Sequence, residues 1–168
     1  MTNYITATFR TRDELKNALL GLESIGVKED QITIIAKEDT HKGYAELHED
    51  VDIEKSTSEA ATTGSLIGAL LGGVVAATAF VLPGVNVIVG GALAATLLGA
   101  GAGAMTGAVA GGLLGALGAY GVSEADAKVY EEEIKSGSTL IMVQPTSNVQ
   151  HREITEVLGR ENAYRLAA

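Results

Sequence analysis

Two histidines and six carboxylates crowd one short stretch: Asp39, His41, Glu46, His48, Glu49, Asp50, Asp52 and Glu54. Imidazole and carboxylate together suit several divalent ions. The spacing fits neither the twelve-residue calcium loop nor the paired histidines of HExxH. The stretch reads as a solvated acidic loop. His151 lies at the start of a helical pattern beside Arg152 and Glu153 and reads as a surface residue. Glu131, Glu132 and Glu133 read as a solvated helix face. Gly99-Ala100-Gly101-Ala102-Gly103 has the look of a phosphate loop, but no GK[ST] ending follows and no cation is near to meet a phosphate. No G-x-S-x-G elbow accompanies the three histidines. Tyr120 is a candidate interfacial anchor. Tyr130 shares its helical register with Ile134 and reads as core. The residue types thus imply no enzyme, no catalytic residues, no cofactor and no metal.

The elements that would position these groups fall into three stretches. Residues 1–59 and 123–168 are ordinary mixed sequence. Between Glu59 and Glu124 lie 64 residues without Asp, Glu, Lys, Arg or His. That run holds 16 of the 21 glycines and 16 alanines. Leu, Ile and Val recur through it, so it is no flexible linker. A run of this kind is buried in lipid or in an assembly. With a net charge of −9, the chain offers no basic surface for nucleic acid. It has no cysteine, which excludes disulfides, thiol nucleophiles and thiolate zinc sites. Met1–Leu20 shows no positive segment followed by an apolar one, so no signal peptide is expected. The expected location is the cytoplasm or the cytoplasmic face of the inner membrane.

The first stretch reads as β-α-β. Tyr4–Phe9 alternates as a half-buried strand. Thr11 and Glu14 form a capping box for a helix carrying Leu15, Ala18, Leu19, Leu22 and Ile25, stopped at Gly26. Gln31–Ala36 is a β-branched strand. The third stretch reads as α-β-α-β. Ser123 caps a helix with Ala127, Tyr130 and Ile134 inside and Gly137 at its end. Thr139–Val143 is a strand. Asn148 caps a last helix stopped by Gly159, and Ala163–Leu166 is a short strand. The fold class is α+β: a ferredoxin-like α/β sandwich split by a Gly/Ala-rich hydrophobic helical hairpin. The domain division is 1–59, 60–122 and 123–168.

Glycine spacing marks the insert. Gly99, Gly103, Gly107, Gly111 and Gly115 recur every four residues, as do Gly64, Gly68 and Gly72. Residues four apart share a helix face, and a bare ridge lets two backbones approach closely. Glycine costs about 0.8–1 kcal/mol per helical position relative to alanine, so dense packing must compensate. Pro83-Gly84 would form the hairpin turn. Gly64–Leu82 would make a helix of about 28 Å, close to a hydrocarbon core of about 30 Å. Val85–Leu98 would be a short helix or re-entrant piece. Both polar stretches build one sheet, so the insert crosses a bilayer twice or not at all. The acidic flanks argue against ordinary insertion, because cytoplasmic flanks normally carry excess Lys and Arg.

The chain resembles the bacterial general stress proteins of the heat-induced and low-temperature-induced type. The resemblance rests on Phe80-Val81-Leu82-Pro83-Gly84-Val85, on the Gly99–Gly115 row, and on Gly121-Val122-Ser123-Glu124-Ala125-Asp126-Ala127-Lys128-Val129-Tyr130-Glu131. It continues through Ile134-Lys135-Ser136-Gly137 into Thr139–Val143, and includes the opening strand and helix. It covers most of the chain except residues 38–58. It implies a stress-induced, non-catalytic protein with a ferredoxin-like domain and a hydrophobic insert. It supplies no catalytic residues. Two functions then compete. One is association with the lipid bilayer through the glycine-zipper hairpin. The other is self-assembly into a particle or filament whose hairpins form the buried core of a homo-oligomer. An enzyme or small-ligand binder on the sandwich is the third class.

Overall fold

The capping box at Thr11 starts the first helix where the sequence places it. The Glu14 N–H donates to Thr11 Oγ1 at 3.3 Å, and the Thr11 N–H donates to Glu14 Oε2 at 3.2 Å. The resulting helix α1 (Arg12–Ser24) buries Leu15, Ala18, Leu19 and Leu22. Gly26, at φ 77°, adopts a left-handed turn that other residues resist. The Val27 N–H then reaches back to the Leu22 carbonyl at 3.1 Å, which closes the helix end. The computed structural model describes residues 4–37, 78–82, 85–91, 114–115, 117–118 and 120–167.

Strand β1 (Ile5–Phe9) precedes α1, and a 3₁₀ turn (Glu29–Gln31) leads into β2 (Ile32–Lys37). β3 (Thr78–Leu82) and β4 (Val85–Gly91) follow, then α2 (Glu124–Lys135), β5 (Thr139–Val143), α3 (Asn148–Arg160) and β6 (Arg165–Ala167). The fold is mixed α+β, and its strands form one antiparallel sheet in the order β3-β4-β2-β5-β1-β6. β1 and β2 do not pair. β5, from the far end of the chain, lies between them, pairing Ile141 with Ala7 on one side and with Ile34 on the other. Neither polar stretch can therefore complete a sheet alone.

Strand alternation sorts side chains into two cores. Ile5, Ala7, Phe9, Ile32, Ile34, Ile141 and Val143 meet the inward faces of α1 and of α3, which adds Ile154 and Leu158. Ile35, Leu140 and Met142 point the other way, against Ala127, Tyr130 and Ile134 of α2 and against Leu117. All five β1 residues are consequently buried. The half-buried strand expected from alternation is covered on both faces, because α2 supplies a third layer. Two helix boundaries also shift. Ser147, not Asn148, caps α3, accepting the Gln150 N–H at 3.1 Å. That helix passes Gly159, and Asn162 at φ 55° takes the left-handed position instead.

The insert departs most from its expected form. Thr78–Leu82 is a strand, not the end of a helix, and Val85–Gly91 is a strand, not a helix or re-entrant piece. Thr, Phe, Val and Ile dominate both segments and favour extended backbone. β2 also offers an edge, and β4 occupies it from Val87 opposite Lys37 to Gly91 opposite Thr33. Leu82 pairs with Val85, so the chain reverses across two residues into a β-hairpin. Pro83 and Gly84 themselves lie outside the described residues, as do Gly64, Gly68, Gly72, Gly99, Gly103, Gly107, Gly111 and the acidic residues 39–54. Gly115 is helical and half-buried. Among the described residues, no helix is long and apolar enough to cross a membrane.

Candidate functional site

The second face of the sheet carries both the end of the uncharged run and the buried Thr6 and Thr8. Residues 114–115 and 117–118 are helical, and Leu117 is sealed into the second core beside Leu114. The turn ends at Gly121, φ 85°, with the Val122 N–H donating to the Leu117 carbonyl at 3.2 Å. Only a residue free of a Cβ clash takes that backbone readily, so Gly121 directs the chain from this turn into α2. Tyr120 stands edge-on to Tyr4, ring centroids 5.5 Å apart. Its ring therefore packs against the sheet rather than standing free as an anchor. On this turn Leu114 and Leu117 face the sheet, and Gly115 lies about a third of a helical turn round from Leu114.

Thr6 and Thr8 alternate onto the same sheet face. Thr6 Oγ1 and the Tyr130 hydroxyl lie 2.7 Å apart in a buried hydrogen bond. Arg165 pairs with Thr8 in the β1–β6 register, and its Nε lies 3.5 Å from Glu133 Oε1. The Glu133 side chain is only 12% exposed. Thr8 Oγ1 and Glu133 Oε2 are buried without a hydrogen-bond partner. Glu133 is thus no part of a solvated face. Its position one residue from Ile134, on the flank of the buried Ala127-Tyr130-Ile134 stripe, is the sequence signal that shows this. Glu131 is paired with Lys135, and Glu132 alone of the three is exposed.

Burial pushes the Tyr130 hydroxyl above its ordinary pKa of 10.0, and its bond to Thr6 only partly offsets this. A group whose pKa rises on folding contributes stability below its unfolded pKa and loses it as pH rises through the folded one. Tyr130 should therefore drive alkaline unfolding above about pH 10. Tyr130→Phe should cost about 1 kcal/mol at neutral pH through the lost hydrogen bond. It should also flatten the alkaline limb of a denaturation series. An unchanged limb would show that another group controls it.

A second polar network pins three element ends. Gln31 Nε2 donates to the Gln144 carbonyl at 2.8 Å and to Gln150 Oε1 at 3.0 Å. Gln150 Oε1 also accepts from the N–H and hydroxyl of Thr146. The Tyr4 hydroxyl donates to Gln144 Oε1 at 3.3 Å. This holds the start of β2, the end of β5 and the start of α3 together.

His151 lies in the first turn of α3, half-buried, with its backbone N–H donating to the Ser147 carbonyl. Among the described residues, no group of three His, Asp or Glu is placed to hold a metal ion. Described polar side chains bond the sheet to α2, through Thr6 and Tyr130, and to α3, through Gln31 and Gln150. No protein-family profile, curated protein or solved structure matches the chain.

Proposed function

We propose that this is a non-catalytic protein of the general-stress type that assembles with copies of itself, its uncharged segments buried between them. The observation that carries this is the β3–β4 hairpin paired to β2. It divides the uncharged run. Residues 60–77, eighteen of them, precede β3; residues 92–113, twenty-two of them, separate β4 from the helical turn at Leu117. One crossing needs about 20 apolar residues, so leaving the sheet and returning to it needs about 40. Neither segment has that length. The count weighs against a helical hairpin that spans a bilayer twice and favours apolar contact between copies. The glycine rows suit that contact, since small residues let helices approach closely. The strands β2-β5-β1-β6, with α1 and α3 on one face, follow the order of a ferredoxin-like sandwich, with α2 and the β3–β4 hairpin added to it.

The test is light-scattering mass without detergent, with liposome flotation on the same sample. A monodisperse multimer that ignores liposomes is the expected result. A monomer that floats with lipid after a high-salt wash would replace this reading with membrane association. The ridge itself is tested by substitution. Gly107→Leu should dissociate the multimer. Gly101→Leu, off the row, should leave its mass largely intact. Equal losses would remove the ridge from the account.

A further inference from the structure

We infer that the outer edge of β3 is where two copies of this chain join, strand to strand, into one continuous antiparallel sheet. This rests on the self-assembly reading and names the contact. β3 is the last strand on its side of the sheet, and among the described residues nothing pairs with its outer edge. The two-residue reversal makes Leu82 and Val85 a hydrogen-bonded pair. Alternation then turns Leu82, Phe80 and Thr78 toward β4 and leaves the N–H and C=O groups of Val81 and Ala79 facing outward. Edge strands are ordinarily guarded by charge, by an internal proline or by shortness. The opposite edge is guarded in two of these ways: β6 has three residues, and Arg165 is one of them. β3 has five residues, Thr-Ala-Phe-Val-Leu, with no charge and no proline.

Charge selects the occupant. All 12 Lys and Arg and all 21 Asp and Glu lie outside the uncharged run that contains β3 and β4. Each chain carries a net −9. Two copies meeting through their polar faces bring like charge together, whereas two meeting along β3 bring neutral backbone together. An antiparallel pairing of a strand with itself obeys a two-fold axis, so the contact is self-complementary and closes. Beyond that dimer, the glycine rows remain for contacts of higher order.

The experiment compares the sedimentation-equilibrium mass of the full chain with those of Val81→Pro and Gly107→Leu. Proline at Val81 removes an outward N–H and leaves the bonds to β4 intact. The expected result is a multimeric parent and a Val81→Pro variant that loses half or more of that mass with unchanged far-UV circular dichroism. A multimer that Gly107→Leu dissociates and Val81→Pro does not would overturn the edge contact and leave self-assembly standing. A monomeric parent would overturn both. Because the chain has no cysteine, single-cysteine variants give a second readout that does not depend on the proline variant folding. Under mild oxidation, Ala79→Cys, Phe80→Cys or Val81→Cys should yield a covalent dimer, and exposed Asn17→Cys should not. No dimer from any of the three, with the parent still multimeric, would mean that β3 is covered by another part of its own chain, which overturns the proposal.

Discussion

Leu117→Ala should destabilise the fold by about 2–5 kcal/mol, the range for a leucine deleted from a packed core. Leu117→Asp should abolish folding, because it buries a charge without a partner. Leu117 is 1% exposed and lies in one cluster with Ile35, Leu140, Met142, Ala127, Tyr130 and Ile134. The comparison is Leu20→Ala on α1, where the side chain is 45% exposed and the change should stay within about 0.5 kcal/mol. Urea unfolding followed by circular dichroism, at one protein concentration, measures both. Concentration must be fixed because an assembling chain gains stability by mass action. If the two variants cost the same, the end of the uncharged run is not part of the core. That outcome would reach the functional reading, because the length argument depends on both ends of residues 92–113 being held at the sheet.

Local chemistry carried the polar stretches. The Thr11 box, the Ser123 cap, the Gly26 and Gly137 stops and the alternation of Thr139–Val143 are all short-range signals, and each appears where residue type and spacing place it. The non-local pairing of β5 between β2 and β1 leaves no local mark. It was legible only as the statement that the two halves need one another. The β3–β4 hairpin was hidden by composition. Gly and Ala on either side suggest helix packing and carry a helical reading into Phe80-Val81 and Val85–Val89, whose β-branched and aromatic content argues for strand. The covered position of Glu133, beside the exposed Arg165, is hidden for a different reason. Three consecutive glutamates look like solvent-facing charge, yet successive residues on a helix lie 100° apart, so one of three beside a buried stripe must sit at its margin.

Gly21 is the other position that residue type alone understates, and its replacement should be among the most damaging on the first face. It lies inside α1, where glycine costs about 0.8–1 kcal/mol relative to alanine. Propensity alone therefore makes Gly21→Ala stabilising. The structure reverses the sign. A Cβ built on Gly21 would lie 2.6 Å from Val157 Cγ1 of α3. The valine branch sits at its own Cβ and has no flexible stem along which to retreat, so the two helices must separate or the side chain must leave its rotamer. Overpacking of this kind costs about 1–3 kcal/mol, enough to cancel the propensity gain from alanine and exceed it. Gly21→Leu extends the same collision and should cost about 3 kcal/mol. Removing the obstacle supplies the control. In a Val157→Ala background the clashing Cγ1 is gone, so Gly21→Ala should recover its propensity gain and raise stability. The decisive quantity is the change of sign in the double-mutant cycle, which isolates the contact from every other effect of either substitution. Gly21→Ala stabilising in both backgrounds would mean that α1 and α3 are not held at this approach. The first core would then tolerate a wider spacing than its close contact at Gly21 implies.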